Sequence, residues 1–175
     1  MAVNVGCFGP FDGRGIITFV QQLRRGITRF KRGVRYSAIL ALAMVHTQKR
    51  HFLHEALAFC RSLPRRLNQP LPAALVQMTP VPAAQTLDSD TIRGIVDALT
   101  AFGAGRPLGI CLRRSLARYH FLRRAGLPVV VVFGARRLGE GIGGHAWLTL
   151  DGVPYYELPQ HYQNYAVMFT FPAEA

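Results

Sequence analysis

The chain has 175 residues, a formal net charge of +12 at pH 7 and a composition that is 50% hydrophobic. This hydrophobic content excludes an intrinsically disordered chain, and the length favours one domain or one domain with a helical extension. The positive charge indicates anionic partners such as acidic peptides, nucleic acid or a membrane surface. The three cysteines lack the spacing of a disulfide framework, which is typical of a reducing compartment, so we expect a cytoplasmic protein.

The first part of the chain is expected to be helical. No signal peptide is predicted, because polar residues, glycine and proline interrupt the apolar residues as far as Gly15. Ile16–Val34 has the pattern of a basic amphipathic helix, which is either a solvated face or a contact surface for an acidic peptide or a membrane. Ser37–Val45 is apolar but too short to span a bilayer, and it predicts a buried helix that continues through Gln48.

Proline and capping signals divide the middle of the chain. His51–Leu63 has helical spacing, and Pro64 should end that helix. Four prolines between residues 68 and 84 predict an irregular connection. Asp88 then offers an N-cap for a helix over Thr91–Phe102.

A further helix is predicted from about Cys111 to Ala125, with Gly126 as its C-cap. Cys111 would then lie in the first turn, where free backbone N–H groups and the helix macrodipole favour a thiolate. Arg113 and Arg114 are expected to lower the pKa of the thiol further.

The residues that follow predict strands. Val129–Phe133 has the β-branched run of a strand buried on both faces, and Arg136–Gly144 has the composition of a polar glycine-rich loop without a phosphate-binding pattern. His145 begins the apolar run that ends at Leu150, and Asp151-Gly152 predicts a hairpin turn before the strand Val153–Leu158.

A cysteine on a helix, a histidine on a strand and an acid on the next strand form the order of a cysteine–histidine–carboxylate enzyme. In such a site the thiolate attacks a carbonyl, the imidazole carries the proton and the acid orients the ring. We therefore expect Cys111 and His145 to be catalytic. Neither Cys7 nor Cys60 is followed by a histidine and an acid in a similar order, so both are expected to be structural.

Four fragments carry a more specific resemblance: Cys111-Leu-Arg-Arg-Ser-Leu, Leu122-Arg-Arg-Ala-Gly-Leu-Pro, Phe133-Gly-Ala-Arg-Arg and His145-Ala-Trp-Leu-Thr-Leu-Asp-Gly-Val-Pro. In these fragments and their order the chain is similar to the transglutaminase-like leader peptidase of lasso-peptide biosynthesis, called the B protein. The similarity is strong from about residue 91 to residue 158.

The resemblance implies an α+β fold in which N-terminal helices, residues 1–86, pack on a papain/transglutaminase-like core with an antiparallel sheet, residues 87–175. It implies cysteine-protease removal of the leader from a ribosomally made precursor. The partners implied are the precursor, a separate leader-recognition protein and an ATP-using lasso cyclase. We expect this chain to bind no cofactor and no nucleic acid, with any ATP acting through a partner.

The acid departs from the family pattern, because the family generally has aspartate where this chain has Glu157. A two-residue turn at Asp151-Gly152 would place Glu157 opposite Ala146 and facing away from His145. A three-residue loop with a bulge would bring Glu157 onto the face of His145. Asp151 would lie about 20 Å from His145 in an extended strand, so we predict that Glu157 is the acid and that the loop is bulged.

Two other functions use the same residues. The triad also serves acyl transfer to an amine, as in a transglutaminase or an amidase, and the acceptor cannot be predicted from the residues. The alternative without catalysis is a basic adaptor that holds an acidic leader or nucleic acid. A metal site is not predicted, because His46, His51 and His54 lack the cysteine or glutamate that would complete one.

Overall fold

In the computed structural model, which describes residues 13–83 and 87–173, helices precede an antiparallel sheet, and the predicted α+β class is confirmed. The side chains of residues 13–25 and 29 and the predictions for residues 1–12, Cys7 among them, lie outside that description. Residues 1–35 and 36–175 are separate compact units. The elements are α1 Gly13–Val45, α2 Thr47–Arg66, α3 Leu71–Met78, α4 Ser89–Ala101, α5 Ile110–Arg124, β1 Val130–Leu138, β2 Gly141–Leu150, β3 Val153–Pro154, α6 Pro159–Tyr162 and β4 Ala166–Phe171.

The last turns of α1 are more exposed than their composition predicts. The segment Ser37–Val45 is helical as predicted, but it ends at Val45 instead of continuing through Gln48 and it is not buried, because Leu42 and Val45 are 61% and 76% exposed while Ala43 is buried. Only one side of this segment reaches the core, where Ile39 and Leu40 are partly covered. Within the described residues, no helix is both long and apolar enough to cross a membrane.

Two predictions from proline are wrong. Pro64 does not end α2, which continues to Arg66, because the missing N–H and the ring affect only the last turn of the helix. The predicted irregular connection contains α3, a helix of eight residues. Pro70 is its N-cap residue and Pro72 lies in its first turn, where a helix tolerates a residue without an N–H group.

The capping signals around α4 and α5 are confirmed. The Asp88 carboxylate accepts a hydrogen bond from the Thr91 N–H at 2.8 Å and caps α4. Gly126, at φ +87°, follows the end of α5, where the Leu127 N–H donates to the Leu122 carbonyl in the pattern of a Schellman motif. These local signals set the start of α4 and the end of α5, the helix that carries Cys111.

The sheet has four antiparallel strands in the order β3-β2-β1-β4. The predicted loop over Arg136–Gly144 is wrong, because β1 and β2 remain paired as far as Leu138 and Gly141 and are joined by a two-residue turn. Paired backbone groups stabilise this hairpin where the side chains carry no strand signal. The strand β4 at the sheet edge was not predicted.

One hydrophobic core joins the helices α2 to α5 to the sheet. Its buried members include Leu63, Leu75, Ile95, Leu122 and Leu148. Burial of each such side chain contributes roughly 1.5–3 kcal/mol. The division between residues 1–86 and 87–175 remains a prediction.

Candidate active site

Cys111 is the second residue of α5, as the sequence predicts. The first hydrogen bond of the helix runs from the Arg113 N–H to the Gly109 carbonyl at 3.1 Å, so the N–H groups before it have no acceptor within the helix. The thiol is reduced and half-buried. It has no hydrogen-bond partner among the residues that the structure describes. The helix terminus therefore presents an accessible thiol beside free backbone donors.

The turn that precedes Cys111 is held by Arg113. Its buried guanidinium donates to the Thr100 carbonyl at 2.7 Å and to the Leu108 carbonyl at 3.0 Å, and burial lowers its pKa. Gly105, at φ +84°, lies against this side chain, and a Cβ there would be 3.1 Å from the Cys60 carbonyl oxygen. Arg113 thus fixes the start of α5, whereas its expected effect on the thiol remains a prediction.

Arg114 and Arg118 also bind α4. Arg118 forms two hydrogen bonds with the Asp97 carboxylate, at 2.6 and 2.8 Å, and both side chains are buried. The Arg114 Nε lies 3.5 Å from the same carboxylate. Part of the positive charge that the sequence concentrates near Cys111 therefore serves helix packing through Asp97, which no sequence pattern had singled out.

His145 lies on β2 directly opposite Gly134 of β1. Its ring packs against Trp147 and Tyr165, with ring centroids 5.7 and 5.2 Å apart. A Cβ at residue 134 would be 2.8 Å from the Trp147 ring, so glycine is needed there for the aromatic packing. Ser115 links β2 to α5, because its hydroxyl donates to the Ala146 carbonyl at 2.8 Å.

Cys111 and His145 line the same cavity, which has a volume of about 370 Å³. The other lining residues are small or apolar: Gly109, Leu112, Phe133, Gly134, Gly144 and Ala146. Among the described residues no hydrogen bond joins the thiol to the imidazole. Such bonds are often long before substrate binds and tighten in the reacting complex.

The turn between β2 and β3 has two residues, so the predicted bulged loop is wrong. Leu150 pairs with Val153, and Asp151 and Gly152 adopt φ of 51° and 74°. Asp151 is exposed at this turn and has no contact with His145.

Glu157 nevertheless reaches His145. Regular pairing stops after Pro154, and Tyr156 adopts a left-handed conformation with φ of 53°. This change of direction brings a carboxylate oxygen of Glu157 to 3.6 Å from His145 Nε2, and both side chains are largely buried. Glu157 therefore approaches His145 because the backbone leaves β3 after Pro154.

Contacts with α4 hold Tyr156 in this conformation, which is costly for a residue with a bulky side chain. Its hydroxyl donates to the Asp90 carboxylate. The Arg93 guanidinium lies 3.9 Å from the centre of its ring. These two residues of α4 consequently help to set the position of Glu157.

His161 is a second histidine at the carboxylate and was missed in the sequence. Its Nδ1 lies 2.9 Å from the same Glu157 oxygen, Oε1, while His145 Nε2 is buried without a hydrogen bond. The residue lies four positions after Glu157 on α6, which begins at Pro159. The signal that could have predicted this contact is the spacing around a helix-start proline, with an acid two residues before Pro159 and a histidine two residues after it.

The remaining candidate groups show no comparable chemistry. Burial raises the pKa of the Cys60 thiol to about 11, which is typical of an inert structural cysteine. Within residues 13–83 and 87–173, no group of three or more histidine, cysteine or acidic side chains is placed to hold a metal ion.

Comparison with known proteins identifies the architecture. A family model described as the transglutaminase-like superfamily matches residues 56–170, which is more than half of the chain. No curated protein and no solved structure matches the chain. The matched span includes Cys111, His145, Glu157 and His161.

Proposed function

The chain belongs to the transglutaminase-like superfamily, and we propose that it is a cysteine peptidase that removes the leader from a ribosomally made lasso-peptide precursor. The observation that carries the proposal is that Cys111 and His145 line one cavity while Glu157 lies 3.6 Å from the imidazole. The lasso-peptide assignment is supported by the four sequence fragments and their order.

Each member of the triad has a separate role in the proposed reaction. His145 takes the proton of Cys111, and the resulting thiolate attacks the scissile carbonyl carbon. The imidazolium then gives this proton to the leaving amine as the C–N bond breaks and a thioester forms. Water, deprotonated by His145, hydrolyses the thioester and releases the leader, and Glu157 orients the ring and stabilises its charged form.

The start of α5 supplies the stabilisation of the tetrahedral intermediate. The backbone N–H of Cys111 has no acceptor within the helix and points from the positive end of the macrodipole. Such a donor at the nucleophile stabilises the developing oxyanion. We assign this role to the Cys111 N–H.

The cavity favours an uncharged substrate segment at the scissile bond. Leu112, Phe133 and Ala146 line it together with three glycines. A charged side chain placed there would lose its hydration without gaining a partner. The positive charge elsewhere on the chain suits an acidic leader, whose recognition we assign to a separate protein acting with an ATP-using cyclase.

The test is cleavage of a candidate precursor by the full chain together with the recognition protein, followed by mass spectrometry. We expect leader release by the wild type and none by Cys111→Ala or His145→Ala, because the two residues act as a unit. Exclusive formation of an amide when a primary amine is added would instead indicate an acyltransferase. Salt-sensitive binding without any cleavage would indicate an adaptor.

A further inference from the structure

Glu157 faces two histidines, and it is hydrogen-bonded to the one outside the proposed triad. Oxygen Oε1 is the near atom for both rings, at 2.9 Å from His161 Nδ1 and 3.6 Å from His145 Nε2. Only the first distance lies in the range of a hydrogen bond. Because the carboxylate can only accept, His161 donates from Nδ1.

The arrangement leaves a polar atom of His145 buried without a partner. Its Nε2 has no hydrogen bond among the described residues, although buried polar groups are almost always paired. Because Glu157 lies at Nε2, the proposed reaction needs a proton on Nε2 while Nδ1 receives the proton of the thiol. An N–H group at this position requires an acceptor, and Glu157 would need to approach by about 0.7 Å to provide one.

We propose that His161 is a positioning residue that restrains the triad: it holds the Glu157 carboxylate in a resting position, and transfer of that carboxylate to His145 activates the site. This inference rests on the proposed function, since it concerns the acid of the same triad.

The two histidines differ in their surroundings. The His145 ring packs against Trp147 and Tyr165, whereas the His161 side chain is 52% exposed. The other charged groups nearby act elsewhere: Arg136 lies over the Tyr165 ring, and Arg93 and Asp90 bind Tyr156. His161 is therefore the group that competes with His145 for the carboxylate.

The test compares two substitutions at the same position. His161→Asn keeps an N–H donor close to the place of Nδ1, whereas His161→Phe keeps a ring and removes the donor. His161→Ala removes both the donor and the ring, and so controls for an effect of ring packing. His54→Phe is the control for a ring substitution, because His54 is an exposed histidine of α2.

The first readout needs no substrate. It is the nuclear magnetic resonance signal of the His145 Nε2–H proton in the ¹⁵N-labelled full chain. His145→Ala identifies the signal by removing it. We expect a downfield shift and slower exchange in His161→Phe and His161→Ala, because the carboxylate then accepts from His145. His161→Asn and His54→Phe should resemble the wild type.

The second readout is precursor cleavage. We expect kcat to rise roughly three- to tenfold in His161→Phe and His161→Ala with unchanged KM, the factor that one hydrogen bond of ordinary net strength supplies. An unchanged His145 signal, or a loss of kcat in these variants, would overturn the inference. If the wild type cleaves no precursor but the His145 signal shifts as expected, the inference stands and the proposed function fails.

Discussion

Replacing Glu157 with glutamine tests the acid of the proposed triad most directly. Glutamine has nearly the same volume and keeps one oxygen, so the packing around the largely buried side chain should persist. The substitution removes the negative charge that stabilises the His145 imidazolium and allows the wrong tautomer to form. The chemical step should slow while substrate binding changes little.

The size of the effect follows from the distance between the two groups. Two unit charges 3.6 Å apart interact by about 5 kcal/mol at an effective dielectric constant of about 20. This value is an upper limit, because His161 shares the same carboxylate oxygen. A loss of about 2–4 kcal/mol corresponds to a fall in kcat of roughly 30- to 1000-fold.

The assay is steady-state cleavage of the precursor, with thermal unfolding as a measure of folding. Glu140→Gln and Asp151→Asn are matched controls, because each removes one negative charge from an exposed turn of the same sheet. Both should retain nearly full activity. Asp151→Asn should also preserve the turn, since asparagine tolerates positive φ.

Glu157→Asp examines the reach of the side chain. The left-handed Tyr156 places the backbone for a glutamate, so the shorter side chain should lie farther from His145 and lower kcat.

The result that would refute the electrostatic argument concerns Glu157→Gln. Its activity would lie within about threefold of the wild type and equal that of the two controls, whereas each factor of ten corresponds to about 1.4 kcal/mol.

Three further predictions concern reactivity, stability and pH. Iodoacetamide near neutral pH should label Cys111 before Cys60, whose buried thiol has a pKa of about 11; equal rates in peptide mapping would contradict an activated thiolate. Asp97→Asn should reduce the free energy of unfolding by about 3–5 kcal/mol in urea titrations, because it leaves buried Arg118 without its carboxylate. Burial lowers the pKa of His120, so its stabilising contribution is complete above the unfolded-state value of about 6.5 and is lost as pH falls through the folded-state value; His120→Gln should flatten the loss of stability as the pH falls below about 6.5.

Much of the site could be predicted from short stretches of sequence. The start of α5 just before Cys111 follows from Gly109 and the apolar spacing, and its end follows from Gly126. The strand of His145 and the Asp151-Gly152 turn are also local signals. These elements depend on residues that are neighbours in the chain, so their patterns are visible before folding.

The position of Glu157 could be predicted only in part. Glu157 lies near His145 as predicted, but the bulged loop that was expected to bring it there is wrong, because the turn is tight and the change of direction occurs at Tyr156. No propensity favours a left-handed tyrosine there. Contacts with Asp90 and Arg93, more than sixty residues earlier in the chain, stabilise it.

Spacing, capping and turn chemistry are enough to predict most of α2, α4 and α5, the Asp151-Gly152 turn and the order of cysteine, histidine and acid. Three features depend on the folded structure: Arg113 and Arg118 bind α4, residues 136–138 pair with residues 141–143, and His161 holds the carboxylate. An arginine looks the same in the sequence whether its side chain is solvated or buried against a carboxylate. Which of the two occurs depends on contacts between distant segments, and these form only when the chain is folded.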